Sequence, residues 1–211
     1  SENRQNDYLH PLWHGMLENV EIKKDVYSRY TMNMSKANNG FVLVLQDMKG
    51  GSIKGDTFTY EIVSANGRMA HDFSLVDDDK ISYGAYFVES ADLSDYDSAE
   101  PEENAEINLT VARAELNTLR LMSDKSTRLI IRERHTERLV LNIDLVQYIL
   151  LTRERYEQKV GVKLTDQQYL DYEDSFSLMF VMMPTGSIVN PYAMVELRIN
   201  GWVVRSQSAE L

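Results

Sequence analysis

His10 and His14 stand four residues apart, the spacing that sets two imidazoles on one helical face for a zinc ion. Pro11 between them opposes such a helix, and the glutamate of the H-E-x-x-H pattern is missing, so surface or packing histidines are the plainer reading. His71 precedes Asp72 in "MAHDF", where a local hydrogen bond is available, but no serine motif accompanies the pair. His135, in "RERHTER", reads as a solvated strand end of alternating charge. The chain carries no G-x-S-x-G elbow, glycine-rich phosphate loop or kinase signature. It has no cysteine, which removes thiolate metal sites, cysteine nucleophiles and disulfides together.

Carboxylates are plentiful but clustered. Asp92, Asp95, Asp97, Glu100, Glu102, Glu103 and Glu106 fall in "DLSDYDSAEPEENAE" with no base among them. Calcium is one chemistry such a run could support, but the spacing differs from an EF-hand loop and the central glycine is absent. An exposed linker fits better, because like charges repel and Pro101 interrupts any ladder. A glycosidase needs two carboxylates across a cleft, which spacing along a chain does not establish. No catalytic, metal-binding or cofactor-binding residue is assigned, and the expectation is a protein that is not an enzyme. The net charge of −11 opposes a nucleic-acid partner, which requires a basic face. Asn33-Met34-Ser35 and Asn108-Leu109-Thr110 match the glycosylation acceptor pattern, a weak signal.

The elements that would position any site are mostly strands. Before residue 91, "RYTMNMS", "FVLVLQD", "TFTYEIV" and "ISYGAYFV" alternate or run apolar over strand lengths, with Asn39-Gly40 and Asn66-Gly67 as turn residues. Met32, Met34 and Met179, at alternating positions, read as core filler. After residue 107, "LRLM", "TRLIIRE" and "RLVLNIDL" read as strands, and the period then changes to helical through Leu145, Ile149 and Tyr156. Asp144 is the N-cap there and Gly161 the stop. Thr165 with Gln168 begins a second capped turn, and "SFSLMFVMM" supplies a further strand. Val195, Leu197 and Ile199 alternate with polar residues, Gly201 interrupts as a bulge would, and Trp202 and Val204 resume the pattern. The expected fold is mainly β: two β-sandwich domains, 1–91 and 107–211, joined by an acidic linker at 92–106, with a helix near 144–158 inserted in the second. No apolar run approaches the length of a membrane span, and "SENRQNDYLH" lacks signal-peptide character.

The tail "INGWVVR" resembles the end of the anchor-type fimbrial subunits, the fimbrillin-associated anchor family of type V pili. "TLRLM", "TRLII" and "LVLNIDLVQYIL" follow in the order of that family's second domain, and "TDQQYLDYEDSFSLMFVM" resembles its "QEYLDRQDEY" segment and following strand. "FTYEIVSANGRMAHDFSL" resembles a first-domain strand, turn and strand, so the likeness covers residues 12–205. The resemblance implies two transthyretin-like sandwiches in a non-catalytic structural protein, surface-exposed at the cell outer membrane and seated at the base of a fimbrium. Family members are lipoproteins attached through an N-terminal cysteine, so the lipid anchor here would lie upstream of residue 1. The implied partners are the other fimbrial subunits of the same pilus and the outer membrane, with no small-molecule substrate. Subunits of such pili join by adding a strand to a neighbour's sheet, and Trp202, Val203, Val204 and Arg205 are the candidate partner-binding strand. An adhesin or glycan-binding module on the same scaffold is the alternative, and would expose tyrosines or tryptophans in a shallow groove. Too few candidate strands precede residue 91 for a complete sandwich, so a partner strand or a smaller first domain is expected there.

Overall fold

The computed structural model describes residues 3–76, 78–92, 110–173 and 175–206. Its strands are β1 (Asn3–Gln5), β2 (Trp13–His14), β3 (Ser35–Lys36), β4 (Asn38–Asp47), β5 (Phe58–Ser64), β6 (Ile81–Gly84), β7 (Phe87–Asp92), β8 (Thr110–Leu119), β9 (Arg128–Glu133) and β10 (Leu139–Asp144). Helices α1 (Leu145–Leu150), α2 (Arg153–Val160) and α3 (Asp166–Tyr172) follow, then β11 (Ser175–Pro184), β12 (Tyr192–Ile199) and β13 (Trp202–Ser206). The fold is mainly β, as expected.

Period-two burial builds two facing sheets. In β5 the alternation is strict, with Phe58, Tyr60, Ile62 and Ser64 turned inward. In β11 the inward set is Phe176, Leu178, Phe180 and Met182. One sheet has five strands in the order β1-β6-β5-β9-β10, the other six in the order β13-β12-β11-β4-β8-β7. Both orders mix strands from before and after the acidic segment. At the middle of the larger sheet, β4 pairs in parallel with β11 and antiparallel with β8. In the smaller, β5 lies between β6 and β9. Phe41, Leu43, Phe58, Ile62, Leu129, Ile131, Leu178 and Phe180 belong to a single buried cluster.

This interleaving corrects the division into domains at 1–91 and 107–211. Neither segment closes a sheet of its own, and the strands that 1–91 lacks come from later in the same chain. Beside β4 the later strand β11 pairs in parallel, so that edge is covered by the same chain. Of the acidic linker, residues 93–106 lie outside the described residues, and Asp92 closes β7.

Other local expectations also need correction. "ISYGAYFV" is two strands in different sheets, with the chain crossing between them at Ala85 and Tyr86. Asn39 and Gly40 sit inside β4, where buried Asn39 receives the Leu121 N–H and donates to the Glu173 carbonyl. "RYTMNMS" enters a ladder only at Ser35, and Met32 and Met34 are exposed rather than core filler. The strand read at "LRLM" ends at Leu119, because β8 runs from Thr110. The helix near 144–158 is two: α1 stops at Leu150 and α2 starts at Arg153. Buried Thr152 explains the break, since its hydroxyl bonds back to the Ile149 carbonyl at 2.7 Å and meets the Tyr169 hydroxyl at 2.6 Å.

The caps behave as their chemistry dictates. Asp144 accepts the Gln147 N–H, Gly161 ends α2 in the left-handed region, and Thr165 and Gln168 form a reciprocal capping box.

Candidate functional site: a terminal sheet edge and a groove under the N-terminal arm

The candidate partner-binding strand is the outer strand of the six-stranded sheet. Asn200 and Gly201 both have positive φ, 49° and 80°, so they form a two-residue hairpin turn, and the register shift falls at Val204, between the Arg198–Val203 and Leu197–Arg205 pairs. The turn sets Trp202 opposite Ile199 and Val203 opposite Arg198. Asn200 is pinned from both sides: its N–H donates to the Ser177 carbonyl, and its side-chain oxygen accepts the Ser177 N–H. Val204 packs on the core, Trp202 is half-buried, and Val203 and Arg205 are exposed.

On its outer side β13 meets side chains of the helical insertion. Arg155 of α2 donates to the Val203 carbonyl at 2.9 Å, and Arg205 donates to the Tyr148 hydroxyl at 3.1 Å. A backbone carbonyl that takes a bond from outside the ladder points away from the sheet, and in an antiparallel strand its own N–H points the same way. The edge therefore offers the backbone groups of Val203 outward, guarded by one arginine. Sequence patterning placed the strand but gave no sign of this guard, which depends on a contact between α2 and β13.

A second feature escaped the sequence reading. Residues 7–34 form an arm whose first part, residues 7–12, is held against the six-stranded sheet. Asn117 donates to the Asp7 carbonyl, and Asn38 donates to the carbonyls of Leu9 and His10 while accepting the Leu12 N–H. Beyond that anchorage the arm exposes many apolar residues: Trp13 is 53% exposed, Ile22 91% and Tyr27 85%. The helical face needed for a zinc pair does not form, because no helix spans residues 10–14. His10 instead meets Tyr8 edge-on, and a ring nitrogen of His14 bonds the His71 carbonyl at 2.8 Å. Asp72 turns to Ser74, whose hydroxyl and N–H bind its carboxylate and hold it below the usual range. His135 lies exposed in the turn between β9 and β10. Among the described residues, no three of His, Asp and Glu gather as a metal site would require.

Between the arm and α3 lies an open groove of about 640 Å³. Trp13, Met32, Asn33 and Met34 line it from the arm, and Gln168 and Tyr172 from α3. A stacked column ties the two walls together. The His14 ring lies parallel to Phe73 at 4.7 Å, and the Arg120 guanidinium sits 4.1 Å from the Phe73 ring centre. Arg120 then grips Asp171 with two bonds of 2.7 Å and donates to the Phe73 carbonyl. Phe73 has φ of 69°, an uncommon conformation for a bulky residue, held by these contacts.

The family model described as fimbrillin-A associated anchor proteins Mfa1 and Mfa2 matches residues 1–208. A solved structure of candidate polysaccharide-binding proteins from Bacteroides thetaiotaomicron VPI-5482 is 27% identical, with a TM-score of 0.74 over 99% of this chain and 64% of that one. A candidate adhesin from the same organism is also 27% identical, with a TM-score of 0.72 over 87% of this chain and 57% of that one. The fimbrial anchor protein Mfa2 from Porphyromonas gingivalis, 19% identical, shares the fold with a TM-score of 0.64 over 96% of this chain and 62% of that one. The chain thus spans 57% to 64% of the length of these relatives. No curated protein sequence matches it.

Proposed function

We propose that this chain, which belongs to the family of fimbrillin-A associated anchor proteins, is a non-catalytic anchor or accessory subunit that joins other subunits of a surface fimbria by β-strand addition. Attachment to the outer membrane through a lipid group upstream of residue 1 is part of the same proposal. Among the described residues, no helix is long and apolar enough to cross a membrane.

The observation that carries this reading is the outer edge of β13. Among the described residues β13 pairs with β12 alone, and a strand with one ladder partner is a template for another strand. Here Arg155 occupies that edge through a single carbonyl, and an incoming strand would displace its side chain. Trp202, Val203, Val204 and Arg205 then form the docking strand, with backbone bonds giving affinity and the alternating side chains giving register.

Val203→Pro removes the outward N–H without breaking a bond to β12, so the subunit should fold as before. In the producing bacterium, a strain carrying this variant should shed its fimbriae into the medium, while Arg155→Ala should leave them cell-bound. Immunoblots of the two fractions measure the difference. Wild-type retention by a folded Val203→Pro subunit would refute docking at this edge.

A second reading, an adhesin, is favoured by the groove beside α3 together with the likeness to the candidate adhesin and the candidate polysaccharide-binding proteins of Bacteroides thetaiotaomicron.

A further inference from the structure

We propose that the groove between the N-terminal arm and α3 is a saccharide-binding site that takes a neutral oligosaccharide, its sugar rings lying against Trp13 and Tyr172. The proposal rests on the adhesin reading and gives it a place and a ligand class.

The lining has the chemistry a sugar requires. A pyranose has an apolar C–H face and a rim of hydroxyls that both donate and accept. Trp13 and Tyr172, 53% and 66% exposed, supply flat apolar faces with a polar edge. Asn33 and Gln168 bring side-chain amides, which donate and accept in one plane. The Gln168 carbonyl oxygen is used by its capping box, and no described residue takes the amide hydrogens. The Asn33 amide and the Tyr172 hydroxyl likewise make no hydrogen bond with a described residue.

The charge of the groove argues for a neutral ligand. Its one carboxylate, Asp171, is held in a bidentate pair by Arg120 and also receives Gln167. Lys36, the cation of the lining, is not free either. A basic ligand would find no uncommitted carboxylate there, whereas uncharged hydroxyls need no counter-charge.

The site is also held in shape. His14, next to Trp13 in β2, is stacked on Phe73, and Arg120 links Phe73 to Asp171, next to Tyr172 in α3. The two aromatic walls are thereby fixed relative to each other before any ligand arrives, which lowers the ordering cost of binding. A volume of about 640 Å³ lies within the span of small-ligand sites. Openness suits a chain of sugars, which must enter and leave the groove at its ends.

The chain has two tryptophans, Trp13 and Trp202. Trp202→Phe therefore leaves Trp13 as sole indole reporter, and any oligosaccharide retained on a printed array of neutral and acidic glycans can be titrated against it by fluorescence. Saturable quenching or a blue shift by a neutral glycan is expected. In the wild-type background, Trp13→Ala and Tyr172→Ala should each weaken that glycan, measured by calorimetry, by about tenfold or more. Both side chains are exposed, so circular dichroism and melting temperature should stay unchanged. Glycan binding that survives both substitutions would overturn the groove while leaving an adhesin in place. An array without any retained glycan would overturn the groove and the adhesin reading together. A dimer seen by light scattering that Trp13→Ala dissolves would assign the groove to a second copy of the chain and overturn the saccharide proposal.

Discussion

Replacing Asn66 by alanine removes a clasp between the two sheets. Asn66 is 1% exposed and sits just after β5. Its amide donates to the carbonyls of Leu119 and Arg120, each at 3.0 Å, at the end of β8 in the opposite sheet. Its side-chain oxygen accepts the buried Tyr83 hydroxyl at 2.7 Å. Burial alone already pushes the Tyr83 phenol well above its ordinary pKa, so that hydroxyl stays protonated and needs an acceptor. Three bonds at about 1 kcal/mol net, plus about 1 kcal/mol or more for a stranded buried hydroxyl, give an expected loss of about 4 kcal/mol for Asn66→Ala. Tyr83→Phe alone should cost about 1–2 kcal/mol, because it orphans one acceptor lone pair. The double variant no longer strands the hydroxyl, so its loss should fall short of the sum by about 1–2 kcal/mol. Urea unfolding followed by circular dichroism measures all three. A loss below about 1 kcal/mol for Asn66→Ala, or strict additivity with Tyr83→Phe, would refute the clasp.

Two further substitutions probe the helical insertion and the terminal hairpin. Buried Glu157 accepts Lys163 at 2.8 Å and the Leu164 N–H at 2.9 Å, and these bonds hold its carboxyl below the ordinary glutamate value. A lowered carboxylate pKa stabilises the fold fully above the unfolded value of about 4.3 and loses that contribution as pH falls through the folded value. Glu157→Gln should therefore flatten the acid limb of a melting-temperature profile, and an unchanged acid limb would contradict this assignment. Gly201→Ala places a side chain at φ of 80° with open space around it, so the cost is backbone strain alone, about 1 kcal/mol. Chemical unfolding checks the figure, and a neutral substitution would argue against the left-handed turn.

Much of the fold was legible locally because local physics set it. "FVLVLQD" and "TFTYEIV" are strands with bounds within three residues of those read, since their alternation serves a half-buried ladder in any sheet. Asp144, Gly161 and Thr165 with Gln168 cap as read, since capping involves groups three or four residues apart. Partnership was not legible. Whether β4 pairs with a near strand or with β11 leaves no mark on the alternation of either, so the acidic run between them read as a domain boundary. The strand β8 was placed too late because Ala112 and Ala114 fill its inward face with small side chains that pattern reading undervalues. At the sites, the exposed edge residues Val203 and Arg205 were visible as a strand, whereas the Arg155 guard was not. The groove was missed because apolar Met32 and Met34 mimic a strand on an arm that pairs only at its base.

The parallel pairing of β4 with β11 also bears on how the chain reaches its folded state. Gly40 aligns with Ser175, so the centre of the larger sheet joins segments from near opposite ends of the chain. Such a contact closes a very long loop, a step that slows folding more than it lowers stability. During synthesis, β4 can gain β8 on one side, but its other side stays open until Ser175–Pro184 has emerged. Until then Phe41, Leu43 and Leu45 lie in a strand with one bare edge, a species prone to capture by other chains. The wait between those two moments is a window in which a chaperone would have most to do.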